Sequence, residues 1–451
     1  MLIDSSEWER LSQQTKELLL QMEDDMAEGL IPLQVFNHPE IHELEMRRIF
    51  ARCWIYMGHE SEIPNPGDYV VRHIARDPYV MVRDTEGNVH VFFNSCTHRG
   101  VTLCRAEMGN ATSFTCPYHG WTFKNNGQLI GVPAKNKGYR KLNESEWGLH
   151  AVPRVESYMG LIFACLDPHV CSLDEYLGDF KWYLDISLKL TEGGMEVIGE
   201  PHRWVVDANW KQGAENFTGD SNHTQMAHRS VFHAGIAEES VAGSPNAAYG
   251  LHVNDINGHQ ISIRQLDKES RIFWNYPEEV TRLFTAEHLS PAQFELARRA
   301  AVHDATIFPN FSYIQLGVKD DASQPPAGFL SFRVWNPIAP GKIEIWSWIL
   351  APKEASDACK QRAYEAGNSS FSPSGNFEQD DTAVWRGIAR SAGSLFAELN
   401  HIKANYQMGY QEMGEAVPLQ DWPGPGVAWT SNAGESGLRA FHRQWYKKIM
   451  E

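Results

Sequence analysis

The sequence has no uninterrupted apolar stretch near the roughly 18 residues that a membrane-spanning helix needs. Its beginning, MLIDSSEWERLSQQTKELLLQMEDD, lacks the basic and apolar regions of a secretory signal. That stretch reads as an amphipathic helix capped near Ser5 or Ser6, and the expected location is the cytoplasm. Basic residues are in deficit. Against 57 Asp and Glu stand 40 Lys and Arg, a formal net charge of −17, which argues against a nucleic-acid partner because phosphate binding needs clustered cations. Repeats, low-complexity linkers, a G-x-G-x-x-G fingerprint and a Walker A motif are all missing, so nothing points to direct binding of NADH or flavin. Cysteines number seven (Cys53, Cys96, Cys104, Cys116, Cys165, Cys171, Cys359). An odd count without a secretion signal disfavours a disulfide framework. Some of these thiols are expected to serve a metal and the rest to be buried.

What is present is ample core material. The 451 residues are 42% hydrophobic and 11% aromatic, with 15 Trp and 21 Phe, which suits two or three packed domains rather than disorder. Residues 67–167 read as β-structure, with hairpin signals at Glu86-Gly87-Asn88 and Asn125-Asn126-Gly127. Ser290 and Pro291 open a helix running to Val302. The runs GFLSFRVWNPI and KIEIWSWIL, joined at Ala339-Pro340-Gly341, read as an antiparallel pair. The predicted class is α+β: a small all-β domain before a larger domain whose antiparallel sheet is flanked by helices, with a boundary near 170.

Two constellations carry chemistry. The first is C-T-H-R-G at 96–100 and C-P-Y-H-G-W at 116–121. Cys96, His98, Cys116 and His119 sit in two turns between strands and imply a metal site. A structural zinc takes two Cys and two His, but zinc fingers more often group the Cys first and the His later. A Rieske [2Fe–2S] cluster gives two thiolates to one iron and two imidazoles to the other. The order C-H…C-H is expected when each loop serves both irons. Gly100, Pro117 and Gly120 permit the sharp loops required. Cys104, between the pairs, reads as a core thiol.

The second constellation lies in N-W-K-Q-G-A-E-N-F-T-G-D-S-N-H-T-Q-M-A-H, residues 209–228. Asn216, Asp220 and His223 are spaced i, i+4, i+7 and share a face if the segment is one helix. His228 lies about 140° from His223 on such a helix, so the helix must bend, bulge or end between them for both to reach one metal. Gly219 makes irregularity plausible. A carboxylate from F-S-P-S-G-N-F-E-Q-D-D, either Asp380 or Asp381, would complete a 2-His-1-carboxylate set with open positions for Fe(II) oxygen chemistry. Taken singly, these are ordinary surface histidines and an acidic turn. A one-electron carrier upstream makes iron the better reading.

With these motifs and W-I-Y-M-G-H-E-S-E-I-P-N-P-G-D-Y at 54–69, nearly the whole chain resembles the large (α) subunit of the Rieske non-haem iron aromatic-ring-hydroxylating dioxygenases, of the naphthalene/biphenyl kind. The resemblance implies an N-terminal helical segment (1–50) packing on the catalytic domain, a Rieske domain (51–170) and a mononuclear-iron domain (171–451). It implies that Cys96 and Cys116 bind one cluster iron and His98 and His119 the other. His223, His228 and Asp381 would bind the mononuclear Fe(II). Asp220 would be a catalytic bridging acid, hydrogen-bonded to His223 and, across a subunit boundary, to a neighbour's cluster histidine. Asn216, Phe217, His303, Phe371 and Phe377 would line the substrate pocket. Relatives often have Asn two residues after the His at 303, where this chain has Ala305, and Trp where it has Phe377. No Lys or Arg falls in this pocket set, which disfavours a carboxylate substrate.

The implied activity is cis-dihydroxylation of an aromatic hydrocarbon, naphthalene-sized or biaryl, in aromatic catabolism. O2 is the co-substrate, and electrons come from NADH only indirectly, through a separate reductase and a ferredoxin. Implied assembly partners are a smaller β subunit and an α3 or α3β3 oligomer. The rival readings are a Rieske monooxygenase on a substituted aromatic such as a salicylate, a Rieske electron-transfer protein, and a zinc-stabilised binding protein. One local anomaly fits a redox partner. Residues 108–143 hold no acid but carry Lys124, Lys135, Lys137, Arg140 and Lys141, a candidate docking patch for an acidic ferredoxin or an ordinary solvated loop.

Overall fold

The computed structural model describes residues 5–237, 250–266, 271–410, 417–429 and 434–451. No helix among them is long and apolar enough to cross a membrane. The chain forms two compact units, Phe50–Glu175 and a second made of Met1–Ile49 with Tyr176–Glu451.

The smaller unit is built from three antiparallel sheets. The four-stranded one runs in the order Val89–Phe93, Asp77–Arg83, Asp68–Ile74, Met108–Asn110. A three-stranded sheet joins Ser113–Thr115, Thr122–Lys124 and Leu129–Gly131. The third joins Arg154–Tyr158, Leu161–Cys165 and Ile55–His59. Both expected hairpins are present, and each turns on a glycine with positive φ (Gly87 +93°, Gly127 +87°). Val80, Val82, Phe92, Phe114, Trp121 and Phe123 fill the core beside Cys96, Cys104 and Cys116. None of the seven cysteines is in a disulfide; six are buried and Cys171 is exposed, against the expectation of buried bystanders.

The larger unit centres on a nine-stranded antiparallel sheet. Five strands carry the argument, in spatial order Lys342–Pro352, Ala327–Ala339, Phe311–Val318, Ala300–Ile307, Gln260–Gln265. The strand pair read from GFLSFRVWNPI and KIEIWSWIL is present, turning at Gly341 (φ +61°). The helix Asp357–Phe371 packs on this pair. Its Ala363, Ala366 and Phe371 share an apolar cluster with Val302, Leu316, Val318, Phe329 and Ile349. All eight residues of Ala300–Ile307 are buried. A strand covered on both faces shows no polar alternation in its sequence.

Two local expectations need correction. The helix opened by Ser290 and Pro291 ends at Arg299, not Val302. Ala300 and Val302 already pair as strand, because burial within the sheet overrides the helix preference of the alanines. The N-terminal amphipathic run is two helices, Ser5–Arg10 and Gln13–Ala27. The side chain that caps the longer helix is Ser12, which accepts from the Thr15 N–H at 3.2 Å. Met1–Asp4 lie outside the described residues.

Candidate functional site

In the smaller unit the two Cys-His loops have the same backbone pattern. The Gly100 N–H donates to the Cys96 carbonyl (2.8 Å) and the Gly120 N–H to the Cys116 carbonyl (3.0 Å). Cys96 N–H then closes onto Val101 O, and Cys116 N–H onto Trp121 O, at 2.8 and 2.7 Å. Gly100 and Gly120 adopt φ of +76° and +72°, so both tight turns rest on a conformation that favours glycine. The loops bring one thiol and one imidazole each to one place. Cys96 and Cys116 are in side-chain contact, and the backbone N–H groups of His98 and Arg99 reach the Cys96 sulfur.

The His98 and His119 rings lie 4.7 Å apart, centroid to centroid, and Trp121 stacks on His98 at 4.8 Å and 9°. Both Nδ1 atoms are buried and have no hydrogen-bond partner among the described residues. Two orphaned imidazole nitrogens beside two buried thiols fit a two-iron cluster. Burial, then the neighbouring His119 and Arg99, hold the His98 pKa below its ordinary value, toward the neutral form a ligand needs. Cys104 is pushed up to about 12 by burial, and Asn94 clasps its backbone N–H and C=O at 2.8 Å each. That is the profile of an inert core thiol.

In the larger unit, Asn209 opens the helix Trp210–Asn216 with a capping box to Gln212. The helix is braced from below by buried charge. Lys211 pairs with Glu45, which also accepts from Trp210 and Trp445 Nε1. Glu215 accepts from Tyr406 and His442. The helix stops at Asn216, so Asn216, Asp220 and His223 do not share a helical face. Gly219 is the reason. Its φ is +114°, and a Cβ there would meet the His252 ring at 2.8 Å. Chain direction changes at this residue, and a separate short helix, Thr224–Ala227, follows. His223 immediately precedes it and His228 immediately follows it, so one short helical turn separates the two imidazoles.

The result is a compact ligand set. His223 Nε2 and His228 Nε2 are 3.1 Å apart. Asp381 Oδ1, from the helix Asn376–Ala392, lies 3.4 and 3.3 Å from them. Ligand bonds of about 2.1 Å at near-right angles put ligand atoms about 3 Å apart, so these three residues fit one metal ion. Each imidazole is held from behind through Nδ1. His223 Nδ1–H donates to the Asp220 carbonyl, with Asp220 Oδ2 3.7 Å away. His228 Nδ1 faces Asp380 Oδ2 at 3.4 Å. The two acids of the Asp-Asp pair therefore occupy different positions, Asp381 at the ligand face and Asp380 behind His228. Burial opposes charge on His223, but hydrogen bonding to Asp220 and the charges of Asp381 and Asp220 outweigh it and lift the imidazole to about 9. The pocket attracts a cation.

An apolar cavity opens on this set. Of the residues the resemblance implied, Asn216, Phe217, Phe371 and Phe377 line it. Phe371 and Phe377 stack at 5.6 Å, and Phe377 meets His228 edge-on at 4.9 Å. His303 does not line it. Across the strands His303 pairs with Ile263 and Gln315, whereas Val302 pairs with Arg264 and Leu316, and Asp304 pairs with Ser262 and Ile314. Side chains alternate along a strand, so Val302, Asp304, Arg264, Ile314 and Leu316 share the cavity face. His303 faces the other way, edge-on to Trp274 at 5.0 Å. Sequence reasoning missed Arg264 and Asp304, and with them the cation it supposed the pocket to lack.

Comparison with known proteins follows the same division. Residues 53–158 match the Rieske [2Fe-2S] domain, and residues 173–451 match the ring hydroxylating alpha subunit (catalytic domain). The chain is 36% identical to the N,N-dimethyl phenylurea N-demethylase subunit alpha of Sphingobium sp. (strain YBL2), over 95% of this chain and 93% of the relative. It is 34% identical to the large oxygenase component of the naphthalene 1,2-dioxygenase system of Pseudomonas fluorescens, over 92% and 90%. The crystal structure of naphthalene 1,2-dioxygenase from Rhodococcus sp. bound to indole superposes with a TM-score of 0.92 at 40% identity, covering 97% and 99%. The cofactors are thus a Rieske [2Fe–2S] cluster and a mononuclear iron, and the zinc and electron-carrier readings fall away. The chain belongs to the Rieske non-haem iron ring-hydroxylating oxygenases, as an alpha subunit.

Proposed function

We propose that this protein is the terminal oxygenase component that cis-dihydroxylates an aromatic ring, using O2 and electrons passed from NADH by a separate reductase and a ferredoxin in the cytoplasm. The observation that carries the reading is the His223–His228–Asp381 set opening onto a cavity walled by Phe217, Phe371 and Phe377. In it, Cys96 and Cys116 hold one cluster iron, His98 and His119 the other, and the three residues of the larger unit hold the mononuclear iron. When bound, the cluster supplies single electrons and the iron supplies oxygen activation.

The chain's own residues do the rest. Asp220 and Asp380 keep the two imidazoles in the tautomer that leaves Nε2 free. The phenylalanines and Leu316 hold a flat ring beside the ligand face and exclude water. In an α3 or α3β3 assembly, Asp220 also accepts from His119 of the partner subunit, which makes the oligomer part of electron delivery. Lys137, Arg140 and Lys141 are exposed and form the ferredoxin patch. Lys135 is partly committed to Glu144 at 2.7 Å.

A second reading, single-oxygen insertion leading to N-demethylation of a substituted aromatic, is favoured by the 36% identity to an N-demethylase alpha subunit. A panel of arenes, offered to the metal-replete protein with reconstituted donors, separates the two. Cis-dihydrodiols are expected, and formaldehyde from N-methylarenes in their place would favour the second reading.

A further inference from the structure

The cavity holds a feature that a hydrocarbon does not use. Arg264 and Asp304 both line it, on adjacent strands and on one face. Arg264 is 9% exposed and Asp304 5%. Arg264 Nη2 donates to Ser221 Oγ at 3.2 Å and sits 3.7 Å from Asp304 Oδ1, beyond hydrogen-bond reach. Arg264 Nε and Asp304 Oδ1 are both buried and have no hydrogen-bond partner among the described residues.

A buried charge pair is usually closed by further hydrogen bonds, since unmet donors and acceptors in an apolar wall are costly. Only the Ser262 hydroxyl, on the paired strand, stands beside the Asp304 carboxyl, and Arg264 Nε and Asp304 Oδ1 stay unmet in the wall of a cavity lined by phenylalanines. Ser221 ties the pair to the segment that carries His223 two residues on, so the unmet groups belong to the iron end of the cavity.

We infer that Arg264 and Asp304 form a specificity subsite for a neutral polar group on the arene, one that presents an acceptor to Arg264 and an N–H to Asp304. The mutual neutralisation of the pair selects against a carboxylate, which would be attracted by Arg264 and repelled by Asp304 at once. A bare hydrocarbon gains nothing from the pair, since both groups stay unmet. The substrate class this favours is an aromatic lactam, whose C=O and N–H lie on one edge and can meet two groups 3.7 Å apart. The inference rests on the oxygenase reading above and narrows its substrate.

Three near-isosteric probes test it: oxindole (acceptor and N–H on one edge), 2-indanone (acceptor alone) and indane (neither). Each is offered, alongside naphthalene, to the full metal-replete protein with reconstituted donors, and kcat and KM are measured separately. The expected order of kcat/KM is oxindole, 2-indanone, indane, with about ten- to hundredfold between the ends, carried mainly by KM. Arg264→Met is expected to collapse the step between 2-indanone and indane, and Asp304→Val the step between oxindole and 2-indanone. Equal kcat/KM for the three probes in the wild-type protein overturns the subsite and leaves the oxygenase reading standing. The wild-type series decides this even if a variant fails to fold. Oxidation of none of the four compounds by protein with a full iron complement overturns the oxygenase reading itself.

Discussion

His223 Nε2 and His228 Nε2 approach to 3.1 Å, with Asp381 Oδ1 within 3.4 Å of each. Two imidazole nitrogens and a carboxylate this close in a buried pocket are held together best by one cation. Asp381→Ala is therefore expected to lower iron content by about one atom per chain. The cluster's absorption and EPR signal should be retained, because its ligands lie in the other compact unit. Full iron content in the variant would contradict the assignment.

Asp220→Asn tests the support behind His223. The backbone carbonyl that accepts from His223 Nδ1 survives the substitution, while the carboxylate charge at 3.7 Å is lost. Both metals should stay bound and turnover should fall by about 10- to 100-fold. Wild-type product formation would remove Asp220 from electron delivery.

Gly219→Ala tests why the ligand segment is irregular. Its φ of +114° and the 2.8 Å approach to His252 leave no room for a Cβ. A loss of about 1–3 kcal/mol is expected, read as a lower Tm with weakened iron retention. An unchanged Tm would mean the segment relaxes freely.

Glu378, in the first turn of the helix that carries Asp381, forms a fully buried pair with Arg333, which also donates to the Phe371 carbonyl. Burial lifts Glu378 to about 7 despite Arg333, so Glu378 becomes neutral readily once its partner is gone. Arg333→Met should cost about 3–5 kcal/mol at pH 8 and less at pH 6, where the stranded carboxyl is protonated. The sign follows from linkage: a carboxyl raised in the folded state favours folding at low pH and loses that advantage as pH rises through the folded value. Equal losses at the two pH values, by denaturant unfolding, would contradict it.

Lys137→Glu with Lys141→Glu should slow electron transfer from an acidic ferredoxin at low salt and flatten its salt dependence. Lys135 is the weaker choice, since its reversal also breaks the pair with Glu144. Unchanged rates at low ionic strength would return the stretch to an ordinary solvated loop.

The cluster site was legible because its ligands are local: each loop carries its own Cys, His and Gly, and the turn chemistry is written beside the ligands. The iron site was legible only in part. Spacing placed His223 and His228 near one another but suggested a helix where Gly219 breaks it, and it left Asp380 and Asp381 undivided. The pocket wall was the least legible. Ala300–Ile307 is covered on both faces and shows no alternation, so nothing in its sequence says which side faces the cavity, and an error of one residue exchanges faces. The resemblance put His303 at the cavity, and the strand's own sequence held nothing to set against it. A signal was available: Arg264 and Asp304 are charges set inside two otherwise uncharged strand sequences, a combination that calls for a partner or a ligand.

The most direct test is the mass of the product formed under 18O2 by the reconstituted, iron-replete protein acting on naphthalene. The account predicts a cis-dihydrodiol carrying both labelled atoms. A product carrying one labelled atom or none would contradict it.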